Sequence, residues 1–395
     1  MTDLVKAVRL AIRYGHRKAK IISATFIRAA DPAIGAPAPT GTHGVWIEVR
    51  DPQGRENFRR TLPDPGTALE MAHPDHTLSR ASDDAQRVAV LEVPWTGAGS
   101  EISIHMRAGS DLATTTTTVP LVPEQPPALR AGAAPLVVHP GWGAHNERSL
   151  TLLFLPDGFL ATEMNLFHAA LQGCIQLLGR TEPYTNLTSA LRIAHADIPS
   201  AESGIVGDFP RNTAFGGHFA EGLSRLILVD ADRALTTLNA YVSGGSAIAM
   251  IVANTNNYGG SGGAATVFSC ERRSPEIALH ELGHSAFGLA DEYDAAGQSA
   301  TDEPVEPNVC GFGDRGRLKW ASLVPAKTPL PTLSAGEPAP VPPPTGIGAF
   351  EGAKYHQRGR FRPEYDCKMR KLGRPFCEVC LLSIQMVLSR HLPGS

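Results

Sequence analysis

The segment of residues 274–293, SPEIALHELGHSAFGLADEY, holds the residues whose types and spacing could do chemistry. His280 and His284 are four residues apart, so on a helix their imidazoles share one face, one turn apart. Two imidazoles placed in this way can bind one zinc ion, which in hydrolytic sites also keeps a position for water. Glu281 lies beside the first histidine, where it could take a proton from that water during attack on a carbonyl. The pattern predicts a zinc site whose general base is Glu281.

The residues around the histidines favour this interpretation over an ordinary helix with two hydrogen-bonded histidines. Ser274 is a typical N-cap, Pro275 suits the first helical position, and Glu276 suits the positive end of the helix dipole. Apolar residues occupy the opposite face, and Gly288 precedes an acidic pair. Together these residues predict a helix that begins just before the metal ligands.

Catalytic zinc usually has three protein ligands, so a third is expected after the second histidine. Asp291 returns to nearly the same side of the helix as His280, but on a straight helix it would lie ~10 Å above His284. Gly288 permits the chain to turn, after which Asp291 could fold back toward the metal. Glu292 is the competing ligand, and either carboxylate could instead pair with an arginine. The predicted ligands are therefore His280, His284 and Asp291, with Glu292 left open.

Several separated stretches resemble the bacterial immunoglobulin A (IgA) peptidase family of zinc metallopeptidases. The stretches are LFLPDGFLATE (centred on 154–163), IPSAESG (198–204), NNYGGSGGA (256–264), HELGHSAFGLADEY (280–293), EPVEPN (303–308), GAFEGAKYHQRGRFRPEYDCKMR (348–370) and FCEVC (376–380). The resemblance covers roughly residues 148–385. It implies a Zn²⁺ cofactor, a protein or peptide substrate, and a metzincin-like catalytic domain in which a mixed sheet carries the active-site helix.

The resemblance gives further residues a meaning. Metzincin-like enzymes place a methionine turn beneath the metal, and Met369 could have that role here; the alternative is a plain core residue. Tyr293, Tyr355 and Tyr365 are candidates to stabilise an oxyanion, and the sequence does not select among them. The stretch NNYGGSGGA could form a rim where a peptide adds as a strand, or it could be an ordinary glycine loop.

The cysteines allow several interpretations. Five of the six lie in the last third of the chain, where they could be free thiols, disulfides or a metal clip. Cys377-x-x-Cys380 is compatible with redox or zinc chemistry, but no second pair has zinc-finger spacing. The apolar run after Phe376 favours a buried helix, so packing or a structural disulfide is the preferred interpretation.

The remaining pattern predicts the elements that must position these residues. Residues 1–20 are predicted as a helix, 21–111 as a small β-sandwich built from short runs such as GVWIEV and RVAVLEV, and 112–147 as a proline-rich linker. Residues 148–395 are predicted as the catalytic domain, because apolar runs alternate with helical patterns up to about residue 290. The predicted fold class is α+β.

Composition excludes several classes of function. The chain has 395 residues, of which 42% are hydrophobic and 19% charged, and its formal net charge is −3, so neither a basic nucleic-acid surface nor an anionic membrane partner is expected. No apolar run approaches the ~20 residues that span a bilayer. The basic N-terminus lacks the unbroken apolar core of a secretory signal, which predicts a cytoplasmic protein, although the family it resembles is largely secreted.

The predicted function is therefore a zinc-dependent endopeptidase that uses metal-activated water. Two alternatives share the site: a metallopeptidase-like protein that only binds its partner, and a zinc amidase that acts on a non-protein substrate. Glu281 favours an enzyme over a binding protein, because binding alone has no need of a general base. The sequence gives no prediction of the oligomeric state.

Overall fold

The computed structural model describes residues 4–15, 18–30, 32, 44–62, 69–73, 75, 77–81, 87–107, 115–143, 148–295, 297–338 and 340–393. Within these residues the chain forms two N-terminal sheets with a small hairpin, followed by a large mixed sheet with helices on both faces. The predicted α+β class, with a large mixed sheet and few helices, is confirmed.

The N-terminal part consists of antiparallel strands. They are β1 (Val5–Tyr14), β2 (Ala19–Ala29), β3 (Gly44–Arg50), β4 (Glu56–Leu62), β5 (Leu69–Ala72), β6 (Leu78–Ala81), β7 (Arg87–Pro94), β8 (Glu101–Arg107) and β9 (Thr115–Pro120). One sheet has the order β2-β1-β7 and the other β4-β3-β8-β9, while β5 and β6 pair separately. Both sheets contribute buried side chains to one hydrophobic core, to which β1 gives Val8, Leu10, Ile12 and Tyr14.

The helix predicted over residues 1–20 is wrong, because residues 5–14 form strand β1. The spacing of the apolar residues explains why this segment is a strand and not a helix. Leu10, Ile12 and Tyr14 alternate with Arg9, Ala11 and Arg13, which is the period of two that a strand requires. The first set enters the core between the two sheets, and Arg9 on the opposite face reaches the second half of the chain.

Part of the predicted linker is also a strand. Residues 115–120, which contain four of the five consecutive threonines, form β9 at the edge of the four-stranded sheet. Threonine is β-branched and suits a strand, a propensity that outweighs the proximity of the prolines. The chain then runs to β10 (Val137–Val138), which pairs with the large sheet.

The large sheet has eight strands in the order β10-β12-β11-β15-β17-β16-β14-β13. Its further members are β11 (Leu150–Asp157), β12 (Leu191–His195), β13 (His218–Ala220), β14 (Leu223–Leu228), β15 (Ala247–Ala253), β16 (Gly260–Ser261) and β17 (Thr266–Ser269). β12, β11, β15 and β17 are parallel neighbours, whereas β16 runs antiparallel to β17. The apolar runs predicted to alternate with helices include LTLLFLPD, LRIAH, LSRLIL and AIAMIVA, which form β11, β12, β14 and β15.

Helices cover both faces of the large sheet. They are α1 (Met164–Leu178), α2 (Ala231–Tyr241), α3 (Pro275–Phe287) and α4 (Glu378–Ser389), and a last hairpin comprises β18 (Phe350–Ala353) and β19 (His356–Arg362). The core of α1, α3 and α4 includes Phe154 and Val252 from one face of the sheet. The core of α2 includes Leu155 and Ile251 from the other face. None of the helices in the described residues is long and apolar enough to span a membrane.

A buried polar network joins the N-terminal sheets to the large sheet. The guanidinium of Arg9, which is 1% exposed, donates to Asn239 Oδ1 at 2.7 Å and to the Gly245 carbonyl at 2.6 Å. The Ser246 hydroxyl donates to Glu92 Oε2 at 2.6 Å. Burial lowers the pKa of Arg9, and the negative charge of Glu92 opposes that effect. The network holds β1 and β7 against α2 and the start of β15.

Candidate metal centre

Helix α3 begins and ends where its sequence predicts. It starts at Pro275 and ends at Phe287, and Gly288 follows in the left-handed conformation with φ 64°. Only the role of the Ser274 side chain differs, because its hydroxyl bonds to Ser269 Oγ at 2.6 Å instead of capping the helix. The left-handed residue turns the chain back toward the histidines, as predicted.

The turn brings Asp291 to the two histidines. His280 Nε2 and His284 Nε2 are 3.1 Å apart, and each is 3.2 Å from Asp291 Oδ1. A tetrahedral ion with bonds of about 2.0 Å separates its ligand atoms by about 3.3 Å. The nearly equilateral triangle therefore has the size that a bound zinc ion requires.

Hydrogen bonds on the far side of each ring set the direction of its lone pair. His280 Nδ1 lies 3.0 Å from the Lys368 carbonyl, and His284 Nδ1 lies 2.7 Å from the Leu289 carbonyl. A carbonyl only accepts, so each Nδ1 carries the hydrogen and each Nε2 offers a lone pair toward Asp291. Three electron-donating atoms thus converge on one point, and the residues present fit a cation.

Glu292 faces away from the histidines, so of the two carboxylates left open by the sequence, the structure brings only Asp291 to them. Oε1 of Glu292 accepts from Asn308 Nδ2 at 2.9 Å and lies 3.3 Å from Cys380 Sγ. Complete burial raises the pKa of Glu292 well above its usual value, and a negative charge on the nearby Cys367 adds to that effect.

Asn308 is a site residue that the motif alone does not identify. Its side chain accepts from the Ala290 N–H and donates to the Ala290 carbonyl, both at 2.8 Å, and it also donates to Glu292. It thereby fixes the backbone next to Asp291. The only signal in the sequence was its position in the stretch EPVEPN, which the family resemblance includes.

The carboxylate of Glu281 packs against the glycine-rich stretch. The side chain is 5% exposed, and a Cβ added at Gly262 would overlap Glu281 Oε2. The neighbouring strand β16 (Gly260–Ser261) pairs with β14 on one side and β17 on the other. Gly260 is therefore paired on both sides and offers no free edge for strand addition of a peptide, which stays a prediction for the rest of the stretch. Among these glycines, Gly262 leaves room for the Glu281 carboxylate.

Of the three candidate tyrosines, Tyr355 reaches the triangle. The Tyr355 hydroxyl donates to Asp291 Oδ2. The Tyr293 ring lies edge-on to the Tyr355 ring, with the ring centroids 5.3 Å apart. The Tyr365 ring packs against Phe350 and the Arg370 guanidinium. Tyr355 thus holds the second oxygen of the carboxylate whose first oxygen faces the histidines.

Met369 is fully buried beneath α3. A Cβ added at Gly283 would lie 2.7 Å from Met369 Sδ, and the Met369 carbonyl accepts from the Glu292 N–H at 2.7 Å. Met369 belongs to the core of α1, α3 and α4. It is therefore a core residue that also supports the helix and loop that carry the triangle.

No cysteine forms a disulfide; all six are free thiols and all lie within the described residues. The disulfide expected as one alternative for Cys377 and Cys380 is therefore wrong, whereas the expected packing in the core is confirmed. Both thiols lie in a buried cluster with Cys367 and Glu292. A half-exposed group of His168, His195 and Asp197 is a third set of potential ligands in the described part of the chain.

Access from solvent is uneven around the triangle. The His284 side chain is 25% exposed, whereas those of His280 and Asp291 are 1% and 4% exposed. A substrate can therefore approach on the His284 side, while the other two ligand residues form a buried floor.

The chain is similar to a known family of peptidases. A sequence model of the family described as IgA Peptidase M64 matches residues 143–337 and 339–388. These ranges include α3, the triangle, Asn308, Tyr355 and Met369, and they leave out the strands β1–β9. Among curated proteins, no sequence matches this chain.

Proposed function

The chain belongs to the IgA peptidase M64 family, and from this premise we propose that it is a zinc-dependent endopeptidase. His280, His284 and Asp291 are the proposed zinc ligands, and Glu281 is the proposed general base. Membership of the family implies a peptidase. The identity of the metal as zinc and the roles of these four residues are what we propose in addition. The observation that carries it is the triangle of 3.1 and 3.2 Å formed by the three ligand atoms.

Zinc is the metal that best suits this set of donors. Two neutral imidazoles and one carboxylate match catalytic zinc sites, which have three protein ligands and an open position. When bound, the ion would act as a Lewis acid that lowers the pKa of water and polarises the scissile carbonyl. The side of the site near His284 is the exposed one, and the open position is expected there.

The chain's own residues supply proton transfer and position. Glu281 directly follows the proposed ligand His280 and is not part of the ligand groups found among the described residues. Its carboxylate would take a proton from water and pass it to the leaving amine. Gly262 makes room for that carboxylate. The Lys368 and Leu289 carbonyls orient the imidazoles, and Tyr355 orients Asp291.

The proposal extends to two features of the fold, the position of Met369 and the arrangement of the N-terminal sheets. We interpret Met369, buried beneath α3, as the counterpart of a methionine turn, which would make this half of the molecule metzincin-like. We interpret the two N-terminal sheets, which share one core, as a β-sandwich. The substrate in the family's name is not carried over to this chain.

The test of the proposal is Glu281→Gln, which keeps the shape of the side chain but removes the base. Hydrolysis of a peptide library should fall by ~10²–10⁴-fold, the usual effect of losing a general base. Zinc content, measured on the same sample by mass spectrometry of the native protein, should equal that of the wild type. Wild-type turnover in the fully metallated variant would rule out this role for Glu281.

The same assay separates the two alternative functions. Loss of peptide hydrolysis in the variant supports the endopeptidase. Absence of any peptide hydrolysis in the zinc-loaded wild type would instead favour a binding protein, or an amidase if the wild type hydrolyses non-peptide amides.

A further inference from the structure

A second group of potential metal ligands lies next to the first. Glu292 directly follows Asp291, and Cys367 directly precedes Lys368, whose carbonyl accepts from His280. Cys377 is the N-cap residue of α4, and Cys380 lies in the first turn of that helix. The four residues are 0–3% exposed, and Glu292 is more than 70 positions from the three cysteines in the sequence.

The distances within this group match a tetrahedral metal site. Cys367 Sγ and Cys380 Sγ are 3.8 Å apart, and Glu292 Oε1 lies 3.3 Å from Cys380 Sγ and 3.8 Å from Cys377 Sγ. All four ligand atoms lie within 4.8 Å of one another. A tetrahedral zinc ion with Zn–S bonds of about 2.3 Å and a Zn–O bond of about 2.0 Å implies S–S distances of about 3.8 Å and S–O distances of about 3.5 Å.

Neither a disulfide nor simple packing accounts for the group. A disulfide requires its sulfurs at about 2.05 Å, far below 3.8 Å, and would leave a third thiol beside a buried carboxylate. Packing alone does not explain why a glutamate is buried among the cysteines, because burial of a carboxylate is costly unless a partner satisfies each oxygen. Glu292 Oε2 is buried and has no hydrogen-bond partner among the described residues. An unpartnered oxygen on a carboxylate whose other oxygen lies 3.3 Å from Cys380 Sγ and 3.8 Å from Cys377 Sγ is better explained by a cation.

Burial raises the pKa of the Cys377 and Cys380 thiols, and the partial positive charges of nearby backbone groups oppose that effect. The Cys377 N–H donates to Cys367 Sγ at 3.2 Å. Cys377 and Cys380 lie at the N-terminus of α4, a helix of 12 residues, where the helix dipole stabilises negative charge. Each thiol that becomes a ligand releases its proton to solvent as the metal binds.

We propose that Glu292, Cys367, Cys377 and Cys380 bind a second, structural zinc ion. Four protein ligands close the coordination shell, which is the mark of a structural site, and three soft thiolates select zinc over magnesium or calcium. The ion joins the loop that carries Asp291, the segment that orients His280, and the start of α4. It thereby ties together the walls of the first site without taking part in its chemistry.

The first experiment counts metal in the full chain. After loading with excess zinc and desalting, native mass spectrometry should find about two zinc ions per protein, one for each site. His280→Ala should lose one ion, Cys380→Ser should lose the other, and the double variant should lose both. Cys174→Ser is the matched control, since Cys174 is an equally buried cysteine in α1 outside the group, and it should retain both ions.

The second experiment covers the case in which Cys380→Ser does not fold. Wild type and His280→Ala are produced in cobalt-supplemented medium, and both should show a thiolate-to-cobalt charge-transfer band in the near ultraviolet. Neither the histidine triangle nor the group of His168, His195 and Asp197 contains a thiol, so among the ligand groups of the described residues the cysteine group is the one that can give this band.

Two results would overturn the second site: a folded, cobalt-loaded wild type without the band, or a disulfide between cysteines of the group in non-reducing peptide maps. The outcomes also separate the two sites. Failure of the catalytic assignment would appear as unchanged zinc in His280→Ala, whereas failure of the second site would appear as unchanged zinc in Cys380→Ser.

Discussion

At the scale of single residues, the missing side chain of Gly262 decides where the carboxylate of Glu281 can lie. A Cβ at that position would overlap Oε2 of the carboxylate, which is buried and has little room to retreat. The proposed base is thus held in place by a neighbour in another element, and the two residues are expected to depend on each other.

Gly262→Ala is therefore expected to lower kcat for peptide hydrolysis by about 10–100-fold, because a displacement of about 1 Å at a reacting group has an effect of that size. Zinc content should stay at the wild-type value, since Gly262 contacts no ligand of the triangle. Gly173→Ala in α1 is the control, because its Cβ would meet only Pro275 Cγ at an ordinary 3.7 Å. Equal kcat for both variants would contradict the proposed contact.

Tyr355→Phe tests the hydroxyl that donates to Asp291. Removing a hydrogen bond that orients a metal ligand typically lowers metal affinity by about 10–100-fold, and that loss is expected here. The affinity is measured by competition with a chromogenic chelator, and the thermal unfolding of both proteins is recorded beside it. Tyr365→Phe serves as the control because that ring packs against Phe350 and Arg370. If the two variants bound zinc equally, Tyr355 would have no positioning role.

At the scale of elements, the turn between β18 and β19 carries Tyr355 in an unusual backbone conformation. Lys354 and Tyr355 both have positive φ, 45° and 64°, although neither is glycine. Such residues are strained and persist only where surrounding contacts hold them. The contacts here are the Lys354 N–H to the Asp291 carbonyl at 3.0 Å and Lys354 Nζ to Glu306 Oε2 at 2.9 Å.

The ion pair between Lys354 and Glu306 is expected to make a pH-dependent contribution to the stability of the fold. Burial alone would raise the pKa of Glu306, but the Lys354 ammonium lowers it below its ordinary 4.5. A lowered pKa in the folded state means that the stabilisation is present above 4.5 and is lost as the pH falls through the folded-state value.

Glu306→Gln should accordingly reduce the free energy of unfolding by about 1.5–3 kcal/mol at neutral pH, the range for a hydrogen bond to a charged group. Denaturant unfolding of the variant and the wild type at several pH values measures the difference. The two curves should converge in acid. A difference that grew as the pH fell would show that the sign of the pKa shift is wrong.

The elements differ in how far the sequence predicts them. Helix α3 was predictable because its start, its histidine face and its terminating Gly288 all lie within 15 residues. The contacts that complete the site are not local: the Lys368 carbonyl is 88 residues from His280, Tyr355 is 64 residues from Asp291, and Asn308 is 18 residues from Ala290. Spacing along the chain carries no information on such contacts. Strand β1 was missed although its period of two was present, because basic residues on one face of a strand resemble an amphipathic helix.

At the scale of the whole molecule, Arg9 links the N-terminal sheets to the large sheet through buried hydrogen bonds. Its guanidinium is buried and donates to acceptors in α2 and in the segment before β15. Arg13, on the same face of β1, makes an exposed ion pair with Asp232 at 3.0 Å. Substitution of Arg13, whose ion pair is exposed, is therefore a suitable control for substitution of Arg9, which is buried.

Arg9→Ala should lower the free energy of unfolding by about 1.5–3 kcal/mol, because it leaves buried acceptors without their charged donor. Arg13→Ala should change it by at most about 1 kcal/mol, as is usual for an exposed ion pair. Urea unfolding gives both values, and limited proteolysis shows whether the N-terminal strands separate first. Equal effects of the two substitutions would mean that the buried network does not hold the halves together.

The same network has a consequence for anyone who shortens the chain. The part that matches the family begins at residue 143, which invites expression of the catalytic half alone. Such a protein would retain every residue of the triangle, but Asn239, the Gly245 carbonyl and Ser246 would lose the partners that β1 and β7 provide. The boundary of the family match is thus not a boundary of the folded unit. The shortened protein would expose the surface that β1 and β7 cover in the full chain. Poor solubility would result from that exposed surface and not from a defect at the metal site.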